Sequence, residues 1–380
     1  MASYRLSTVR NMLTVVVTLM VLLSACGASS GASVNSLPTN APAAVATNVP
    51  APTSAPAAVA PTSDSVAASA PIANAAKKLN VVTTVSPITN IIYNIGGDRI
   101  NLTGIVPEGT NSHTFEPAPS DAQVLAQADL IFVNGLKLEE PTLRLAEANK
   151  KPDTEIVTLG EQTLTPDQYV YDFSFPKEAG SPNPHLWPNP IYSLRYAEIA
   201  RDKLIARDPA NADYYQQNYN KFKTRIDALD QAIKDTIASI PAENRKLLTY
   251  HDSFAYFAPR YGVTVLGAIQ PADFAEPSAK EIAELITQLK QEKVPAIFGS
   301  EVFPSPILDQ IAKEAGVQYV DTLRDDDLPG KPGDKNHSYL GLMVEDLKIM
   351  ATALKGKPEL IANFDTSNVP GTDNAVEQAQ

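Results

Sequence analysis

Two kinds of apolar run alternate along the chain. Short, β-branched runs at 79–85, 100–106, 129–134 and 155–159 predict strands. The third is apolar at every inner position, as a strand covered on both faces should be. Between these runs the apolar residues take helical spacing. Ser86 and Pro87 open a helix through Ile91, Ile92 and Ile95 that Gly96 and Gly97 end. Ser120 is the expected N-cap of a second helix, and a third covers 139–149.

The pattern returns beyond residue 241. Strands are predicted at 246–250, 263–269, 296–299 and 317–320. One helix carries Phe254, Phe257 and Tyr261, with Gly262 just past its end. Another covers 279–291 behind a capping box of Ser278 and Glu281. Two more are predicted over 306–315 and from Ser338 to Leu354. Such alternation predicts an α/β fold of two lobes, 78–208 and 241–355, each a mainly parallel sheet flanked by helices.

One long connecting helix, 209–240, is predicted to join them. Tyr215, Tyr219, Phe222, Ile226, Leu229, Ile233, Ile237 and Ile240 recur three or four residues apart, and no Pro or Gly lies inside. At 1.5 Å per residue the helix is about 45 Å long. A rigid strut between lobes is one use of that apolar face, and a coiled-coil dimer seam is the other. A monomer is expected.

The first 77 residues read differently. Arg5 and Arg10 precede an apolar run over 12–25, too short for an ordinary spanning helix. It ends in Leu23-Ser24-Ala25-Cys26, which resembles a bacterial lipobox. That predicts a signal peptide over 1–25, cleavage before Cys26, acylation of its sulfur, and a lipid anchor on the outer face of the cell membrane. Cys26 is the only cysteine, so no intrachain disulfide is possible. Residues 26–77 are rich in Ala, Pro, Ser and Thr and nearly uncharged, which predicts a flexible tether reaching about 40 Å. A Gly-x-Ser-x-Gly match from Gly27 to Gly31 follows no strand and is coincidental. Residues 356–380 form a polar tail.

The formal charge is −12, and removing the two arginines of the signal peptide takes it to −14. An acidic chain of this kind lacks the basic footprint of a nucleic-acid binder. It has only four histidines: His113, His185, His251 and His337. His113, His251, Glu301 and Asp321 fall at or just beyond the carboxyl ends of predicted strands, where open α/β sheets bind ligands. His185, among prolines and beside Trp187, follows the last strand of the first lobe. Imidazole and carboxylate suit zinc, manganese or iron, and no thiolate is on offer. His337 reads as structural. Residues 325–327, three aspartates without the spacing of a calcium loop, read as solvated surface.

Four segments carry a resemblance: LTGIVPEGTNSHTFEPAPSDAQVLAQADLIFVNGLKLE, NPHLWPNP, YHDSFAYFAPRYGV, and YVDTL with GKPGD. In this order they resemble the zinc/manganese-type solute-binding lipoproteins of bacterial ABC importers, the cluster 9 family, over 78–354. The resemblance implies one Zn2+ or Mn2+ per chain, held between the lobes by His113, His185, His251 and Asp321 and passed to a membrane permease. Glu301 would be an alternative ligand or touch the ligands. Some manganese-type relatives have Glu where His251 stands. The second motif usually has Asp at the positions of Asn183 and Asn189, which implies weaker support for His185 here. The His-rich loop of many zinc-type relatives is missing.

No enzyme is expected. A surface adhesin with a structural metal is one alternative. A metallohydrolase is the other, and it lacks H-E-x-x-H, a P-loop and a nucleophile elbow outside the tether.

Overall fold

The computed structural model describes residues 77–269, 277–300, 305–371 and 377–378. The signal peptide, Cys26, nearly all of the tether, and Glu301 lie outside the described residues.

The first half is a parallel sheet. Strand β1 (Leu79–Thr83) leads into α1 (Ser86–Gly96), and β2 (Ile100–Gly104) returns beside β1 with Leu79 opposite Ile100. Every residue of α1 is buried, so this helix is part of the core and not a cover over it. Helix α2 (Asp121–Gln127), β3 (Leu130–Val133), α3 (Glu140–Asn149) and β4 (Glu155–Thr158) follow. Short α4 (Leu159–Thr163) then gives way to a long loop. Ser120 makes no side-chain cap for α2; the Asp121 carboxylate accepts from the Ala118 N–H instead.

Helix α5 (Pro190–Arg207) was not predicted. Its buried face mixes Ser193, Ala197 and Ala200 with Tyr196, Ile199 and Leu204, too uneven to print an apolar stripe. The start was nonetheless marked. Asn189 caps the Ile191 N–H and Pro190 stands at the first position, where its missing donor costs nothing.

Helix α6 (Ala212–Ser239) buries the predicted stripe from Tyr215 to Ile237. In the second half, β5 (Lys246–Thr249), α7 (Ala258–Tyr261) and β6 (Thr264–Ala268) form one parallel unit. Gly262 closes α7 at φ 69°, a left-handed position that favours glycine. Helix α8 (Ala279–Glu292) starts with the predicted Ser278–Glu281 box. Strand β7 (Ala296–Ser300), α9 (Pro306–Ala315) and β8 (Gln318–Leu323) make a second parallel pair, and β5 lies beside β7. Helix α10 (Tyr339–Ala353) completes the core. The two-residue β9 (Glu377–Gln378) extends the first sheet, whose order is β4-β3-β1-β2-β9.

Helix α6 packs on α1, α5, α7 and α10. One continuous apolar cluster runs from Val81 through Phe222 and Ile233 to Leu347 and Ile361. Between α6 and α7 the Asp230 carboxylate accepts from the Arg260 Nε–H at 2.8 Å and the Tyr261 hydroxyl at 2.7 Å. Among the described residues no helix is long and apolar enough to cross a membrane.

Candidate metal centre

Three histidines converge where the strands end. His113 follows β2 on a turn whose backbone N–H is held by the Asn111 side chain. His251 follows β5 directly, its carbonyl accepting from the Thr249 hydroxyl at 2.7 Å. His185 stands between them, with Nε2 3.1 Å from that of His113 and 3.2 Å from that of His251. Four nitrogen or oxygen donors about 2.05 Å from a tetrahedral ion lie about 3.4 Å apart. The observed spacings are within a few tenths of an ångström of that value. The three imidazoles are the one group of this kind among the described residues.

Asp321 is not with them. Strand β8 continues to Leu323, past the predicted end at Val320, so Asp321 is a mid-strand residue with an exposed side chain. The turn after the strand carries Asp325, Asp326 and Asp327 instead. These were expected on the solvated surface, yet they are 5%, 3% and 8% exposed. Asp325 Oδ2 lies 3.1 Å from His251 Nε2, and the Ser253 and Ser300 hydroxyls donate to its carboxylate. Asp326 Oδ2 accepts from the Ser112 hydroxyl at 2.6 Å, while its Oδ1 is buried with no hydrogen-bond partner. The Gly109 N–H donates to Asp327 at 2.5 Å, so the His113 loop and the acidic turn are laced together.

The segment around His185 is fixed on every side. The Asn134 amide at the end of β3 donates to the Pro184 carbonyl at 2.9 Å. The Trp187 indole N–H donates to the Asp325 carbonyl at 2.7 Å, and the Tyr339 hydroxyl to the Trp187 carbonyl at 2.8 Å. Asn183 Oδ1 accepts from His185 Nδ1 at 2.9 Å, and the Asn189 amide donates to the Tyr256 carbonyl. Asn183 thus holds the His185 ring through a neutral amide, while Asn189 reaches Tyr256 instead. The Phe175 ring packs 5.6 Å from both His113 and His185.

Burial, and then the charge of His251, holds His113 and His185 well below the usual imidazole range. Burial lowers His251 as well, opposed by Asp326 and Asp172. The same burial pushes Asp325 and Asp326 up, and Asp325 raises Asp326 further. Asp327 is pushed up to about 6 by burial and the charge of Asp325. Burial thus favours the neutral form of the imidazoles and of the neighbouring acids alike.

His337 is buried away from this group. Its Nδ1 lies 3.2 Å from the Pro329 carbonyl and its Nε2 3.3 Å from Glu108, in keeping with a structural residue.

Residues 81–353 match the family described as zinc-uptake complex component A, periplasmic. A manganese ABC transporter substrate-binding lipoprotein, PsaA of Streptococcus pneumoniae, is 32% identical over 282 residues, covering 73% of this chain and 89% of its own. The iron-binding protein YfeA of Yersinia pestis is 33% identical over 260 residues, covering 68% and 81%. Among solved structures, the periplasmic zinc-binding protein TroA of Treponema pallidum superposes with a TM-score of 0.67 at 26% identity, covering 73% of this chain and 99% of its own. The chain belongs to the zinc-uptake component A family of periplasmic metal-binding proteins.

Proposed function

We propose that this chain is the substrate-binding component of a bacterial metal ABC importer, taking up one divalent cation outside the cytoplasm and presenting it to a membrane permease. The observation that carries this reading is the convergence of three Nε2 atoms at 3.1 and 3.2 Å beside a buried carboxylate turn. Relatives named for manganese, iron and zinc support it. Four protein ligands close a coordination shell, which suits holding an ion and not activating a water. The family is one of solute-binding components, not of enzymes.

His113, His185 and His251 supply the nitrogens and Asp326 the fourth donor through Oδ1. Both Asp325 oxygens already have serine hydroxyls, whereas Asp326 keeps one buried oxygen for an ion. By the Irving–Williams order a site of imidazoles and a carboxylate holds zinc more tightly than manganese. Which ion the cell loads then depends on supply. Cys26 is the lipid anchor. Helix α6, embedded in one core with both halves, favours small lobe movements on release.

Elemental analysis of protein purified without added metal, then zinc–manganese competition on stripped protein, tests this. One ion per chain with zinc preferred is expected. A chain that rebinds none refutes the reading.

A further inference from the structure

This inference rests on the metal-binding reading and concerns how His185 is set. Asn183 Nδ2 lies 2.7 Å from Asp172 Oδ2 and 2.5 Å from the Asp252 carbonyl oxygen. Both partners accept, so the amide must turn its NH2 toward them and its Oδ1 toward His185. Oδ1 then takes the His185 backbone N–H and the ring Nδ1, each at 2.9 Å. An acceptor at Nδ1 requires the proton there, which leaves the Nε2 lone pair bare toward His113 and His251.

We propose that Asp172 is a positioning residue of the metal centre: acting through Asn183, it holds His185 in the Nδ1–H tautomer and supplies, from one link further out, the negative charge that a carboxylate beside a ligating histidine supplies directly. The turn that carries Asp172 is itself fixed. Its Oδ1 accepts from the Ser174 and Phe175 N–H groups at 3.0 and 3.1 Å. Ser174 Oγ accepts from the Asp252 N–H at 3.1 Å, next to His251, and Phe175 packs on the other two histidines. One carboxylate therefore orders the surroundings of all three imidazoles.

The position of the charge matters. At Asn183 itself a carboxylate would face the Asp172 carboxylate and the Asp252 carbonyl at hydrogen-bond distance with no proton between them. The amide avoids that repulsion and still passes the charge inward.

The test is the nitrogen spectrum of metal-free, histidine-labelled protein, read together with metal affinity. In the wild type His185 is expected as the Nδ1–H tautomer at neutral pH. Asp172→Asn should mix the tautomers and weaken Mn2+ and Zn2+ binding about 10-fold. The double variant D172N/N183D, which moves the carboxylate next to the imidazole, should recover the tautomer and part of the affinity, a rescue no merely structural loss would give. An Nε2–H tautomer in the wild type overturns the proposal whether or not the variants fold. So does an Asp172→Asn protein with unchanged tautomer and affinity. A wild type with the expected tautomer that takes up no ion would overturn the metal-binding reading, a separate failure.

Discussion

The nitrogen side of the pocket is assembled from three distant loops, at 113, 185 and 251, whereas the acid side is a single turn, 325–327. Burial treats the two sides oppositely. It strips protons from the imidazoles and presses protons onto the aspartates. The nitrogen side is thus prepared for a cation before one arrives, while the acid side is made costly by its absence. An ion relieves only the second. This difference locates the pH sensitivity on the aspartates.

The largest expected effect is on the nitrogen side. His185 touches both other imidazoles, so His185→Ala should weaken metal binding by more than about 100-fold, beyond the range of residues outside the ligand set. Calorimetric titration of stripped protein measures it, and a loss below tenfold would deny His185 its central place. On the acid side, Asp326→Asn should cost about 10- to 100-fold, while Asp321→Asn should stay within twofold. The reverse ranking would return the fourth ligand to β8.

Proton release separates the two sides directly. A raised carboxylate holds its proton in the metal-free protein at pH values where an ordinary one is ionised, and an entering ion displaces it. Affinity should therefore fall as pH is lowered from about 8 to 5, mainly through Asp325 and Asp326, since depressed imidazoles are already neutral over most of that span. Titrations in buffers of different ionisation enthalpy count the protons, and Asp326→Asn should release fewer. An unchanged count would shift the pH dependence to the histidines.

Loading should also stabilise the fold, by about 2.7 kcal/mol when free ion is 100 times the dissociation constant. Thermal melts with and without metal measure this, and Asp326→Asn should reduce the gain at equal ion concentration. The smallest effect is expected at His337, whose neighbours are Glu108 and the Pro329 carbonyl. His337→Ala should leave affinity within twofold, and a tenfold loss would bring it into the site.

The histidines were legible in the sequence because they are few and stand where apolar runs stop. The burial of Asp325, Asp326 and Asp327 beside them was not, because it depended on a strand boundary. Strand β8 outlasts its apolar run by three residues, through exposed Asp321 and Thr322 to buried Leu323. Consecutive acids ordinarily face water, and nothing local shows that Ser112, Ser253, Ser300 and the Gly109 N–H will converge on these three. The alternation of strands and helices was readable throughout, because apolar spacing there follows the element itself. Helix α5 escaped because its contact face mixes small residues such as Ser193, Ala197 and Ala200 with Tyr196, Ile199 and Leu204, and no even apolar stripe results.

Trp187 carries a practical consequence. It is the chain's only tryptophan, fully buried, with its ring centroid 5.0 Å from that of His185 and its N–H on the Asp325 carbonyl. The indole therefore touches His185 on one side and the backbone of the acidic turn on the other. All tryptophan emission from this protein originates against the metal pocket, which makes the unlabelled chain its own optical gauge of occupancy.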